Sequence, residues 1–134
     1  MLEIAQTSYS QNYWHEDKSL LEFHWVSQEA QTMELEDFQE ALLKYVALVT
    51  TYQPNFVLVN AEKLSFTIIP EVQEWVDENV NAVTNLIIKR MAVILPRTLI
   101  EQLSIEQVLD EKEAKKFESN FFSNYQEAFN WLTK

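Results

Sequence analysis

Residues 55–70, NFVLVNAEKLSFTIIP, decide the fold of this chain. The four apolar residues from Phe56 to Val59 do not alternate with polar ones, and such a run is typical of a strand covered on both faces in a parallel sheet. Pro70 presets φ for a first helical turn and disfavours helical geometry at Ile69, so we predict a helix that begins at Pro70. The loop between them leads from the carboxyl end of a central strand to the amino end of a helix, where open α/β sheets usually place their sites.

Length and composition indicate a single domain, residues 1–134. A chain of 134 residues is long enough to bury roughly two-thirds of its unfolded surface. Hydrophobic residues make up 47% and charged residues 23%, a globular balance that argues against intrinsic disorder. The net charge of -11 opposes binding to nucleic acid through a general basic field, so we expect no nucleic-acid partner.

Two residue types are absent from the chain, cysteine and glycine. Without cysteine, disulfides and thiolate metal sites are excluded. Without glycine, glycine-rich phosphate loops, nucleophile elbows and dinucleotide fingerprints are excluded as well. The opening stretch MLEIAQTSYSQ lacks a basic region followed by an apolar one, and no apolar run is long enough to span a bilayer. We therefore expect a cytoplasmic protein without membrane insertion.

The segments before the central strand predict a hairpin and a helix. In SLLEFHWV, residues 19–26, apolar and polar residues alternate, so this run and residues 7–15 are expected to form an antiparallel hairpin with one wetter face that carries Glu22 and His24. Residues 34–52 then carry apolar side chains at helical spacing, with acidic residues in the first turn, and Gln53-Pro54 stops this helix.

The segments after the central strand predict the rest of an α/β sheet. The helix from Pro70 carries an apolar stripe of Val72, Val76, Val80, Val83 and Ile87. Residues 90–95, RMAVIL, form a second buried strand, which makes a βαβ unit with a right-handed crossover. A short helix is expected from Ser104 to Lys115-Lys116, an edge strand within residues 117–124, and a last helix capped by Ser123 with Gln126. The predicted fold class is α/β, a mixed sheet of about five strands flanked by helices in the order ββαβαβαβα.

Four segments, together with this order of elements, resemble the SpoIIAA-like, or STAS, family, in particular its small stand-alone bacterial members. They are VLVNAEKLSF (57–66), PEVQEW (70–75), RMAVILP (90–96) and NYQEAFNWL (124–132). The resemblance covers nearly the whole chain and rests on apolar patterns and a Trp-Leu ending. It implies a SpoIIAA-like mixed sheet without catalytic activity. Its best-understood relatives are anti-sigma-factor antagonists, in which a phosphorylatable serine near the helix start controls partner binding.

This chain departs from the family's switch motif. The motif has an aspartate at the strand end and an Asp-Ser-Ser-Gly-like segment at the helix start, whereas here Asn60 ends the strand and residues 68–71 read IIPE. The serine therefore does not carry over, and the nearest candidates for phosphorylation are Ser65 and Thr67. Negative charge already surrounds them at Glu62, Glu71 and Glu74. The alternative is that both are ordinary loop hydroxyls.

The remaining polar residues give weaker hypotheses. His15 and His24, with Glu16, Asp17 and Glu22, could face one another across the hairpin and gather a metal. Histidines in an acid-rich chain are more often surface or half-buried residues, so we expect no metal, no cofactor and no catalytic residue. The acidic residues Glu74, Asp77 and Glu78, at helical spacing, are expected to form a solvated face.

Two classes of function remain. We favour a non-enzymatic regulatory or protein-interaction module, in which an apolar loop patch meets another protein or a second copy of the chain in a homodimer. The residues of this patch are Leu64, Phe66, Ile68 and Ile69. The alternative is a small-molecule or lipid-binding carrier or sensor with an apolar pocket between helix and sheet. Exposed loop residues would support the first class, and an enclosed pocket lined by aromatic residues the second.

Overall fold

The computed structural model describes residues 1–28, 32–96 and 118–134. The strands are β1 (Leu2–Thr7), β2 (Ser10–His15), β3 (Leu20–Trp25), β4 (Phe56–Asn60), β5 (Arg90–Ile94) and β6 (Glu118–Phe122). The helices are α1 (Leu35–Tyr52), α2 (Pro70–Val76) and α3 (Tyr125–Thr133), and α2 continues through a π-helical turn (Asp77–Asn81) into one further α-helical turn (Ala82–Thr84). The helix predicted within residues 104–116 lies outside the described residues.

The six strands form one mixed sheet in the order β1-β2-β3-β4-β5-β6. The first three pair antiparallel, and β3 to β6 pair parallel. The predicted α/β class, the two buried strands and the edge strand β6 are confirmed. The predicted count of about five strands is wrong by one because β1 was missed. Strand β1, at the other edge of the sheet, has no fully buried residue, and its sequence lacks the alternation that marks a half-buried strand.

Helix α1 matches its predicted bounds. Its first turn is closed by the backbone N–H of Glu34, which donates to Asp37 Oδ2 at 3.0 Å. The helix ends where Gln53 takes the left-handed conformation, with φ of 52°, just before Pro54. Four buried side chains at helical spacing face the sheet: Phe38, Ala41, Tyr45 and Val49. The amphipathic pattern in the sequence was therefore sufficient to place this helix.

The apolar stripe predicted after Pro70 is only partly confirmed. Val72 and Val80 are buried, but Val83 is exposed and Thr84 is buried in its place. The π-helical turn at Asp77–Asn81 explains the difference, because its wider ring includes one more residue than an α-helical turn. Side chains beyond it are rotated relative to the α-helical prediction.

The described helices lie on both faces of the sheet. Helices α1 and α2 pack on one face, against Leu21, Phe23 and Trp25 of β3 and Val57 of β4. The connections β3–α1–β4 and β4–α2–β5 both advance in the same direction along the strand order. Because such crossovers have the same hand, their two helices lie on the same face of the sheet. Helix α3 packs on the other face, where its Ala128 and Leu132 meet a second apolar cluster, formed by Leu20, Leu58, Ala92 and Ile94.

The start of α3 differs by one residue from the prediction. Asn124, not Ser123, caps the helix, and its Oδ1 accepts a hydrogen bond from the backbone N–H of Glu127 at 2.9 Å. The cap places Tyr125 in the first turn of α3, just beyond β6. From this position Tyr125 reaches Glu22 and His24 of β3.

Candidate functional site

Hydrogen bonds donated by backbone N–H groups fix both ends of the β4–α2 loop, residues 61–69. At its start, Asn60 Oδ1 accepts from the N–H of Glu62 at 3.1 Å, and the N–H of Ala61 donates to the carbonyl of Ile94 at 2.8 Å. At its end, the carbonyl of Ile69 accepts from the N–H groups of Val72 and Gln73, both at 3.0 Å. Ile69 lies outside the helix in an extended conformation and Pro70 begins it, which confirms the predicted boundary.

The middle of the loop is anchored by side chains that point inward. Phe66 stacks on Phe38 of α1 with ring centroids 4.7 Å apart, and Phe38 in turn stacks on Trp25 of β3 at 5.4 Å. Leu64 also packs against this core, and both Leu64 and Phe66 are half-buried. The loop is therefore held against the domain by an aromatic stack, which ties it to the amino-terminal end of α1.

The four residues of the predicted contact patch consequently divide into two pairs. Leu64 and Phe66 serve as anchors, whereas Ile68 and Ile69 are 41% and 50% exposed. Alternation of side chains accounts for the exposed Ser65 and Thr67 beside Leu64 and Phe66, but it would turn Ile68 inward, so the exposure of Ile68 shows that the alternation ends before the helix begins at Pro70. The apolar surface that the loop presents is thus smaller than predicted and is centred on Ile68 and Ile69.

The candidate phosphorylation sites Ser65 and Thr67 lie on the outward side of the same segment. Both side chains are exposed. The acidic side chains that were expected to repel a phosphate, Glu62, Glu71 and Glu74, are exposed as well. Phosphorylation at either hydroxyl stays a prediction.

A second polar cluster, which we call the Glu22 network, lies beneath α3. Glu22, in the middle of β3, is only 1% exposed. Its Oε2 accepts hydrogen bonds from His15 Nε2 and from the Tyr125 hydroxyl, both at 2.6 Å, and its Oε1 accepts from His24 Nε2 at 2.7 Å. The network therefore joins β2, β3 and α3 through one carboxylate, on a face that the sequence had indicated as the wetter one.

The charge of Glu22 is stabilised by these donors. Burial acts to raise the pKa of Glu22, but the hydrogen bonds from His24, Tyr125 and His15 outweigh burial, so the pKa lies below its ordinary value. Burial and the adjacent Glu22 carboxylate raise the pKa of Tyr125 well above its ordinary value. Since an ionised carboxylate has no proton to give, Nε2 of each histidine is the donor, and each Nδ1 is directed away from Glu22.

Aromatic rings frame the Glu22 network. Tyr13 meets the ring of His24 edge-on at 5.5 Å, and Phe129 lies 5.6 Å from the ring of His15. Phe129 also stacks with Tyr125 at 5.8 Å. The rings restrict the orientation of both imidazoles, so that the network is a fixed arrangement of side chains.

The structure brings together only part of the histidine cluster considered from the sequence. His15, His24 and Glu22 meet, but Glu16 accepts a hydrogen bond from the Trp14 indole and Asp17 pairs with Lys18 at 3.1 Å. Across residues 1–28, 32–96 and 118–134, no group of three or more His, Asp or Glu side chains is arranged to hold a metal ion.

Tyr125 is the member of the network that sequence reasoning missed. It lies 103 residues from Glu22 in the chain, and a Tyr in an amphipathic helix is usually a core residue. No local signal distinguishes a tyrosine that will meet a buried carboxylate.

A depression of about 490 Å³ lies on the outer surface of α1. It is lined by Glu36, Gln39, Glu40, Leu43, Lys44 and Ala47, all from this one helix. An apolar ligand carried between helix and sheet would need an enclosed site lined by aromatic side chains. This depression is neither enclosed by the sheet nor aromatic, so it gives no support to the carrier alternative.

Of the helices that the structure describes, none has the length and apolar character to cross a bilayer. Comparison with known proteins finds no matching family model, no matching curated protein and no matching solved structure.

Proposed function

We propose that this chain is a non-enzymatic regulatory module that binds another protein through an apolar surface on the β4–α2 loop. The observation that carries this proposal is the exposure of two adjacent isoleucines, Ile68 and Ile69, at 41% and 50% on a loop that is fixed to the domain. Single exposed apolar residues are common on protein surfaces. Here two adjacent β-branched side chains face solvent on a rigid support, which is how contact surfaces are usually presented.

The anchoring matters because it removes the alternative that these isoleucines fold inward. Phe66 already fills the position against Phe38, with ring centroids 4.7 Å apart. The hydrogen bonds of the Ile69 carbonyl to Val72 and Gln73 then fix the backbone at the helix start. The described loop thus leaves Ile68 and Ile69 exposed, and their burial against a partner would remove apolar area from water at about 25 cal/mol per Å².

The finer proposal is a SpoIIAA-like, or STAS-like, module. It is supported by the resemblance of the quoted segments and by a mixed sheet in which the loop after β4 lies at the carboxyl end of the parallel strands. The loop lacks the family's serine motif. We therefore propose a contact surface at this position and not a phosphorylation switch.

The Glu22 network is consistent with a non-enzymatic role. All three of its donors are directed to the carboxylate, at 2.6 to 2.7 Å. The hydroxyl that reaches the network belongs to Tyr125, whose raised pKa keeps it a phenol and a poor nucleophile. We therefore assign the network to the docking of α3 on the sheet.

The test of the proposed function is affinity capture with the tagged full chain and two variants. The first variant, I68S/I69S, removes the proposed contact surface, and the second, L43S, removes an equally exposed apolar side chain, 50% exposed, from the outer face of α1. We expect a partner that is recovered with the wild-type chain and with L43S but is lost with I68S/I69S. Equal recovery of every captured protein by all three chains would overturn the proposal, provided that circular dichroism shows all three folded.

A further inference from the structure

We propose that the partner's contact segment is amphipathic, with an apolar ridge flanked by lysine or arginine side chains. This inference rests on the proposed function and concerns the chemistry of what the loop binds. Two features of the described surface carry it, the shape of its apolar centre and the sign of the charges around it.

Exposed apolar side chains lie on the loop and also at the start of α1, the helix against which the loop packs. Phe66 stacks on Phe38, so the loop lies against the amino-terminal end of α1, one turn from Leu35. Leu35 is 42% exposed, which is close to the exposures of Ile68 and Ile69. We call these three residues, Leu35, Ile68 and Ile69, the loop edge. Three exposed apolar side chains at this end of the domain fit the ridge of a helix or extended segment better than an extensive flat interface.

Most of the described charged residues in the β4–α2 loop, at the start of α1 and in the first turns of α2 are acidic. Two acidic residues lie at the start of α1, one follows β4 and two lie in the first turns of α2, all exposed: Glu34, Glu36, Glu62, Glu71 and Glu74. Within the described part of the β4–α2 loop, the basic residue is Lys63. With a net charge of -11 for the whole chain, the field at the loop edge is negative. A partner with basic side chains flanking its apolar ridge would match both features.

The same charges argue against three other occupants. Nucleic acid and anionic membrane surfaces carry the same sign as the loop edge and are repelled. A second copy of this chain would place its own acidic rim against this one, because a two-fold interface brings the same surface of both copies together. The loop edge is therefore not the interface of a two-fold homodimer, and the homodimer predicted from sequence would require a different surface.

The experiment uses designed amphipathic helical peptides as probes, with the full-length ¹⁵N-labelled chain observed by NMR. Three peptides share one leucine face and differ only in the flanking residues, which are lysine, glutamine or glutamate. We expect the lysine peptide to bind, with shift changes confined to residues 34–36 and 62–74, and the glutamate peptide not to bind. The glutamine peptide should bind the same residues on the order of tenfold more weakly.

Two matched charge-reversal variants distinguish the effect of the acidic residues near the loop edge from that of the protein's overall negative charge. E71K/E74K reverses two acidic charges in the first turns of α2. E3K/E127K changes the net charge by the same amount, at exposed residues on β1 and α3. We expect on the order of tenfold weaker lysine-peptide binding for E71K/E74K and less than about threefold for E3K/E127K. Equal losses for the two variants, or equal binding of the three peptides at the loop edge, would overturn the inference about charge but leave the contact surface in place. Shift changes that map elsewhere, unaffected by I68S/I69S, would overturn the contact surface itself.

Discussion

Tyr125 and Glu22 lie 103 residues apart in the chain, and their side chains meet in a hydrogen bond of 2.6 Å beneath α3. This bond is a polar link in an interface that also contains the apolar cluster around Leu58 and Leu132 and a hydrogen bond from Arg90 Nη1 to the carbonyl of Trp131 at 3.5 Å. Apolar contacts stabilise the docking of α3 without fixing its position closely, whereas a charge-assisted hydrogen bond is directional. We infer that the Glu22 network sets the register of α3 on the sheet.

Removing the Tyr125 hydroxyl is expected to destabilise the fold. Y125F keeps the ring against Phe129 but withdraws one donor from a buried carboxylate, so the free energy of unfolding should fall by about 1.5–3 kcal/mol. Y13F is the control, since the Tyr13 hydroxyl donates to Gln11 on a half-buried surface, and its effect should be about 1 kcal/mol or less. Urea unfolding of both variants checks this, and equal effects would contradict a special role for Tyr125.

The lowered pKa of Glu22 predicts a dependence of stability on pH. Because the folded pKa lies below the unfolded value of about 4.3, the unfolded state binds more protons between the two, and stability rises with pH in that window. The contribution of Glu22 is therefore fully present above about pH 5 and is lost as pH falls through the folded pKa.

Comparison of the wild-type chain with E22Q checks the sign. The difference in the free energy of unfolding should be largest at pH 6–7 and should shrink steadily as the pH is lowered below about 4. A difference that stays constant over the whole range would show that ionisation of Glu22 does not stabilise the fold.

Phe66 is expected to act as an anchor and not as a contact residue. F66A removes a half-buried ring from the stack on Phe38, so the free energy of unfolding should fall by about 2 kcal/mol or more. The matched variant I68A, at an exposed position of the same loop, should change it by less than about 0.5 kcal/mol. Hydrogen exchange of loop amides should accelerate in F66A alone, and fast exchange in both variants would show that the loop is not held by the stack.

Phosphorylation of the loop is expected not to control binding. The S65A/T67A double variant should recover the same partner as the wild-type chain, because exposed hydroxyls flanked by Glu62 and Glu71 add no contact that the proposal uses. Mass spectrometry of the loop peptide from native cells should find it unmodified. A phosphorylated peptide, together with altered recovery in the double variant, would restore the switch hypothesis.

The sequence predicted those elements whose signals are local. Strands β4 and β5 are unbroken apolar runs, and α1 carries its pattern between an acidic first turn and Gln53-Pro54. The prediction failed where the outcome depends on distant or subtle interactions. The burial of Glu22 requires α3 from the far end of the chain, and the exposure of Val83 depends on a π-helical turn that no spacing rule anticipates.

The sequence predicted the exposure of the β4–α2 loop residues only in part. Leu64 and Phe66 alternate with Ser65 and Thr67, but the same period of two includes Ile68, which is exposed, so the sequence alone could not separate the inward pair from the exposed one. All four apolar residues were therefore predicted to form one exposed patch, and the structure exposes Ile68 and Ile69. The periodicity of the sequence carries no information about which protein binds the loop.

The measurement that tests the contact surface most directly is site-specific photo-crosslinking. A photoreactive phenylalanine analogue is placed at position 68 or at position 43 of the full chain, two exposed apolar positions on different surfaces, and the chain is irradiated in extract of its native cells. We predict a discrete crosslinked partner from position 68 that excess wild-type chain competes away, and none from position 43. The same adducts from both positions, or none from position 68, would contradict the account.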